Sequence, residues 1–363
     1  MTDPGERLRS SLAADQGVGE FDSPIAMEAM RATRVLHAAD QEPFPAPGRI
    51  RLITVANQKG GVGKTTSTVN LGVALAMYGL RTLVIDLDPQ GNTSTALGVD
   101  HTVGTPSIYD ALVSDATLAE VTHPTTASPL LACVPATIDL AGAEIELVSV
   151  VAREHRLRRS IEAYLHELPV EQRPHYVLID CPPSLGLLTL NALVAGDEVL
   201  IPIQCEYYAL EGLGQLLSNI DLVRAHLNPG ISVSTILLTM YDGRTKLADQ
   251  VADEVRNHFG ELVLTAVIPR NVRVSEAPGY GQSVLTYDPG SRGATAYVEA
   301  ARELAQRGVA LAPAAPAPVA PPPVPAAAPP PPPVPAAPPP PPPVAALVLG
   351  ESVPPAPRGR HTP

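Results

Sequence analysis

The run Val55-Ala-Asn-Gln-Lys-Gly-Gly-Val-Gly-Lys-Thr-Thr66 carries the densest chemistry in the chain. Gly60, Gly61 and Gly63 let successive backbone N–H groups turn toward one anion without Cβ clashes. The apolar residues before them read as a strand. Those after Lys64 read as a helix, whose N-terminal end adds positive partial charge. This predicts a loop that cradles the phosphates of a nucleotide, built from Gly60, Gly61, Val62, Gly63, Lys64, Thr65 and Thr66. In such a loop Lys64 neutralises the β- and γ-phosphates and Thr65 offers its hydroxyl to Mg2+. The run departs from the standard pattern, because Gln58 stands where the first glycine belongs and Lys59 follows it.

Two further segments end in carboxylates. Thr82-Leu-Val-Ile-Asp-Leu-Asp-Pro-Gln-Gly91 is an apolar strand running into Asp86 and Asp88, and His175-Tyr-Val-Leu-Ile-Asp-Cys-Pro-Pro183 runs into Asp180. Carboxylates at the C-terminal edge of an open α/β sheet lie beside the ligand crevice. Asp180 suits a water of the Mg2+ shell, because that ion keeps octahedral oxygen ligands and sheds water reluctantly. Pro182 and Pro183 stiffen the loop that follows.

These residues need a scaffold, and from Arg51 onward short β-branched runs alternate with helical ones, the pattern of stacked βαβ units. Strands are expected over 52–56, 82–86, 130–134, 176–180, 198–203, 233–239 and 262–268. Helices are expected over 65–78, 140–165, 185–194, 211–227, 246–259 and 294–306. Continuous Val/Ile/Leu strands fit a sheet covered on both faces. The expected fold is a three-layer α/β P-loop NTPase with a mostly parallel twisted sheet flanked by helices. It occupies 49–308, with disordered extensions at both ends. Residues 1–48 read as a disordered or partly helical arm, mobile, with a weak helical stretch near 26–39. Residues 309–363 read as a Pro/Ala-rich tail that can neither donate a ladder nor hold a helix.

Composition narrows the function. With 25 Lys+Arg against 37 Asp+Glu, the net charge of −12 excludes a protein that coats nucleic acid with its whole surface. Any DNA binding has to come from a local patch. Cys133, Cys181 and Cys205 show no C-x-x-C spacing, so neither a zinc site nor a disulfide framework is expected. The charged first thirty residues hold no apolar h-region, and the longest apolar stretch is broken by Asp197 and Glu198, so a cytoplasmic protein without a membrane span is expected.

Lys-Gly-Gly-Val-Gly-Lys-Thr-Thr resembles the deviant Walker A motif of the ParA/MinD superfamily. The resemblance implies an ATPase with Mg2+ as cofactor and a nucleotide-sandwich homodimer, in which Lys59 reaches the phosphates of the other subunit. It also implies that Asp88 orients the attacking water, that Lys59, Lys64 and Asp88 form the catalytic set, and that intrinsic turnover is weak. The segments Ala136-Thr-Ile-Asp-Leu-Ala-Gly-Ala-Glu-Ile-Glu, Pro202-Ile-Gln-Cys-Glu-Tyr-Tyr-Ala-Leu-Glu-Gly, Leu238-Thr-Met-Tyr-Asp-Gly-Arg-Thr and Ile268-Pro-Arg-Asn-Val-Arg-Val-Ser-Glu-Ala-Pro resemble chromosomal ParA/Soj proteins, most closely the actinobacterial branch. Over roughly 51–306 this implies ATP-dependent, sequence-nonspecific binding of nucleoid DNA through Arg244 and Arg273, with Lys246 and Arg270 assisting or Arg270 serving the nucleotide pocket. Asn271 is implied near the adenine edge, competing with a loop-capping role. The implied stimulator is a ParB-type centromere-binding protein, and the implied task is segregation of the chromosome origin. Three other readings stay open: a MinD-like membrane switch, which the proline-saturated end disfavours, a cargo positioner whose Pro-rich tail docks a polar or scaffold partner, and an iron–sulfur reductase, which would need cysteines placed for a shared cluster at the dimer axis.

Overall fold

The computed structural model describes residues 23–38, 41–207 and 211–309. The expectations for 1–22 and for the Pro/Ala-rich tail therefore fall outside the described residues. Eight strands form one sheet: β1 (Arg51–Val55), β2 (Thr82–Asp86), β3 (His123–Pro124), β4 (Leu131–Val134), β5 (Tyr176–Asp180), β6 (Glu198–Gln204), β7 (Ser232–Tyr241) and β8 (Val263–Pro269). Their spatial order is β3-β4-β2-β5-β1-β6-β7-β8, and every pairing is parallel except the two-residue edge strand β3 on β4. β2 and β5 match the expected spans residue for residue. All five residues of each are buried, which is why an uninterrupted apolar run marked them.

The helices are α1 (Pro24–Leu36), α2 (Lys64–Met77), α3 (Asn92–Ala96), α4 (Ile108–Val113), α5 (Leu140–Glu146), α6 (Arg156–Glu167), α7 (Leu187–Ala195), α8 (Glu211–His226), α9 (Lys246–Phe259), α10 (Val272–Glu276), α11 (Val284–Tyr287) and α12 (Arg292–Val309). Alternate strand residues feed two cores. Val177, Ile179, Val199 and Ile201 pack with Leu157 of α6, Ala192 of α7 and Leu216 of α8. Ile53, Val55, Val84, Leu178 and Leu200 pack with Val73 of α2 and with Tyr297 and Leu304 of α12. The sheet is thus the middle of three layers. α2 is buried nearly all round, as a helix between a sheet and a second helix must be.

One expectation changes. The single helix over 140–165 is broken, because Val150 is extended (ψ 129°) and Ala152 takes φ +54° before α6 begins. The described part of the arm holds α1 where a helical stretch near 26–39 is expected, and it packs on the domain. Ser23 caps α1 by accepting from the Ala26 N–H at 3.1 Å, and Val35, Ala38 and Phe44 enter the second core. The Phe44 ring stacks on Tyr78 with centroids 4.2 Å apart.

One buried ion pair ties the centre together. Arg51 donates from Nε and Nη2 to the two Glu198 carboxylate oxygens at 2.8 and 2.5 Å, and from Nη1 to the Leu304 carbonyl at 2.6 Å. This fixes β1 to β6 and α12, and therefore the loop that leaves β1.

Candidate functional site

The loop after β1 turns into α2 through Gly61 at φ +74° and Gly63 at φ +90°, conformations that L side chains rarely adopt. A Cβ on Gly60 or Gly61 would meet nothing within 4 Å, so the backbone there borders open space. The Val62 carbonyl accepts from Thr239 Oγ1 at 2.8 Å, which pins the loop to β7. Asn57 anchors its entry, donating to the Pro202 carbonyl at 2.8 Å while its side-chain oxygen accepts from the Lys59 N–H at 3.0 Å.

A cavity of about 610 Å³ opens over this loop, walled by Gly60, Gly61, Gly63, Lys64, Thr65 and Thr66. Asp88, Asn92 and Thr95 close one side, and Pro183, Met240, Val274, Ser275, Pro278 and Gly279 the others. Lys64 is buried, and its ammonium donates to the Lys59 carbonyl at 3.4 Å. Burial lowers its pKa, while Asp180, Cys181 and Asp88 oppose that shift.

Asp180 lies beneath the cavity floor, fully buried. Its Oδ2 accepts from Thr65 Oγ1 at 2.8 Å and from Thr93 Oγ1 at 2.7 Å, and its Oδ1 accepts from Thr68 Oγ1 at 3.4 Å. Asp86 pairs with it in register across β2 and β5. Asp86 accepts from the Asp88 N–H at 3.1 Å, from the Ser94 N–H at 2.9 Å and from Ser94 Oγ at 2.7 Å. Burial raises both carboxyls, Asp86 to about 8 and Asp180 to about 6, with the Asp180 carboxylate adding to the rise of Asp86. The Ser94 hydroxyl and the Ser94 and Asp88 N–H groups oppose the rise at Asp86, and the Thr93 and Thr65 hydroxyls and the Lys64 charge oppose it at Asp180.

Lys59 sits outside this lining. Its ammonium faces Glu206 Oε2 at 3.5 Å, with Lys59 37% and Glu206 47% exposed, and Arg270 Nη2 lies 3.8 Å from Glu206 Oε1. Asn271 and Arg270 line a neighbouring cavity of about 370 Å³ that shares Gly63, Thr66, Met240, Val274 and Ser275 with the first. Asn271 also caps α10, its side chain accepting from the Arg273 N–H at 2.8 Å, so it combines the capping position with a place on a cavity wall.

The basic residues are on exposed segments with acidic partners. Arg244 is 86% exposed and donates from Nε and Nη2 to the two oxygens of Asp242 at 2.8 and 2.7 Å. Arg273 bonds Glu276 at 2.9 Å and Asp288 at 3.2 Å, while Lys246 is exposed at the start of α9.

The sequence profile described as an AAA domain matches residues 50–233. The sporulation initiation inhibitor protein Soj of Bacillus subtilis is 52% identical over 258 residues, covering 71% of this chain and 99% of that protein. The chain belongs to the ParA/Soj family of chromosome-partitioning ATPases. The chromosome partitioning protein ParA of Myxococcus xanthus, a second relative of this ParA/Soj chain, is 51% identical over 257 residues, 71% of this chain and 88% of that one. Among solved structures, cobyrinic acid a,c-diamide synthase of Mycobacterium smegmatis with bound ATP analogue and magnesium superposes with a TM-score of 0.58 at 38% identity, over 71% of this chain and 93% of that one.

For this ParA/Soj chain the residues fit a magnesium nucleotide. The open glycine cradle and Lys64 suit phosphates, and the Thr65 hydroxyl beside Asp180 is the hard-oxygen set that Mg2+ prefers. Among the described residues no group of three or more His, Cys, Asp or Glu side chains could hold a metal. The three cysteines are free and buried, and burial pushes their thiols up. No helix among the described residues is long and apolar enough to cross a membrane. Sequence reasoning missed Thr93, Glu206 and Met240. Met240 is a non-glycine residue at φ +51° where β7 slips register, and it lines both cavities. Its signal is conformational and invisible in residue type.

Proposed function

We propose that this ATPase is an ATP-gated homodimer that binds nucleoid DNA without sequence preference and releases it on hydrolysis, stimulated by a ParB-type centromere-binding protein, so that the chromosome origin is segregated and positioned. The observation that supports the dimeric switch is the separation of the two lysines. Lys64 lines its own chain's cavity, whereas Lys59 lies outside the lining with its ammonium in a part-exposed ion pair to Glu206.

Gly60, Gly61, Val62 and Gly63 present backbone donors to the phosphates, Lys64 supplies the cation in cis, and Thr66 and Asn271 border the adjoining base-sized cavity. The Thr65 hydroxyl and, through water, Asp180 would hold Mg2+, which would supply positive charge against the charge developing on the phosphates. Asp88 is only 8% exposed, lines the cavity and has its N–H fixed on Asp86, and in this reading its carboxylate orients the attacking water. Lys59 is drawn from Glu206 to the second subunit, which makes nucleotide part of the interface.

Arg244, Arg273 and Lys246 then meet DNA phosphates. Arg244 and Arg273 must exchange Asp242, Glu276 and Asp288 for phosphate oxygens, which keeps binding weak and salt-sensitive in a chain of net charge −12. Asp88→Ala tests the cycle. Phosphate release is expected to fall about 100-fold or more while the ATP-loaded protein stays on DNA. Wild-type turnover in that variant would remove Asp88 from the reaction.

A further inference from the structure

Asp86 holds the segment from Asp88 to Ser94 at both ends. It accepts from the Asp88 N–H and from the Ser94 N–H and hydroxyl, and Ser94 Oγ in turn accepts from the Ala136 N–H at 3.1 Å. Between those anchors the chain turns at Gly91, φ +63°, where a Cβ would lie 2.8 Å from His101 Nδ1 and 3.1 Å from the Ala136 carbonyl. The turn at this position therefore calls for glycine. One side chain of the segment crosses to β5: Thr93, fully buried, donates to Asp180 Oδ2 at 2.7 Å.

That oxygen also receives the Thr65 hydroxyl at 2.8 Å. Thr65 comes from the start of α2 and Thr93 from α3, so one carboxylate oxygen joins the phosphate loop to the segment that bears Asp88. Under the reading of the site given above, the Thr65 hydroxyl is the one recruited to Mg2+. Once it turns, Thr93 is the close donor left on Oδ2, because Thr68 faces the other oxygen at 3.4 Å. Partners of this kind orient carboxylates toward a metal and set its affinity.

We infer that Thr93 is a positioning residue that couples Asp180 to the Asp88-bearing segment, so that occupancy of the metal site sets the order of residues 88–95. Thr93 touches neither phosphate nor water in this role. It acts through Asp180 on one side and through the backbone of Ser94 and Asp88 on the other.

The full chain carrying Thr93→Val, Thr93→Ala or Thr93→Ser tests this with ADP, titrated with Mg2+. Two readouts are needed: fluorescent-ADP binding against Mg2+ concentration, and hydrogen exchange across 88–97 with and without Mg2+. The wild type is expected to gain protection in 88–97 on adding Mg2+. Thr93→Val and Thr93→Ala are expected to lose that gain and to need about tenfold or more Mg2+ for half-saturation. Thr93→Ser, which keeps the hydroxyl, is expected to follow the wild type. Alanine removes the hydroxyl without adding bulk, so it carries the test where valine disturbs packing. Normal Mg2+ dependence and normal protection in the hydroxyl-free variants would overturn the inference and leave the site reading intact. A wild-type chain whose ADP binding ignores Mg2+ would overturn both.

Discussion

Lys59 and Glu206 give the sharpest prediction, because they move one equilibrium in opposite directions. In the monomer the pair is 3.5 Å apart, with both side chains more than a third exposed, so it is worth about 0.2–1 kcal/mol. In the proposed dimer Lys59 would meet phosphate in a water-poor interface, where a charge-assisted hydrogen bond contributes about 1.5–3 kcal/mol. The difference is about 1–2 kcal/mol per lysine, and a symmetric dimer has two. Lys59→Ala should therefore raise the dimer dissociation constant about 30- to 700-fold at 1.4 kcal/mol per decade. Glu206→Gln removes the competing partner and should tighten the dimer about 2- to 30-fold on the same scale. Sedimentation with a non-hydrolysable ATP analogue and Mg2+ reads both constants, and nucleotide affinity measured well below the dimerisation range should change little. Wild-type dimerisation by Lys59→Ala would refute the reasoning. So would a loss of nucleotide binding in the monomer, since that would place Lys59 in its own chain's site.

Three other outcomes follow from the described geometry. Burial lifts the Asp180 carboxyl to about 6, so in the proposed site Mg2+ would have to displace a proton below that pH; Mg2+-dependent ADP binding should weaken about tenfold per unit below pH 6, as calorimetry across that range can show. Glu198→Ala leaves the Arg51 guanidinium, 2% exposed, without its carboxylate and should cost about 3–5 kcal/mol in urea denaturation, whereas a solvent-compensated pair would cost under 1 kcal/mol. Phe44→Ala removes the stacking partner of Tyr78 and should cost about 3 kcal/mol, a loss that an arm detached from the domain would not produce.

The parallel sheet was legible because its strands are buried on both faces and so read as unbroken apolar runs, β2 and β5 most clearly. Elements of four or five residues, α3, α10 and α11, are too short to show a helical period, and β3 pairs only two residues at an edge. The break between α5 and α6 depends on a left-handed Ala152, which residue type does not announce. The residues placed around the cavity came from motif spacing, but their partners did not. Thr93 reaches Asp180 across 87 positions, and Glu206 reaches Lys59 because β6 pairs beside β1, contacts that exist only after folding. The acidic partners of the arginines were nearer at hand, since Asp242 precedes Arg244 by two positions and Glu276 follows Arg273 by three.

The switch is tested most directly by DNA binding with ATP, with ADP and without nucleotide, comparing the wild type with Arg244→Ala at fixed salt. Binding by the wild type only with ATP, weakened in Arg244→Ala without loss of the nucleotide-bound dimer, is the predicted result. Equal binding in all three nucleotide states would contradict it.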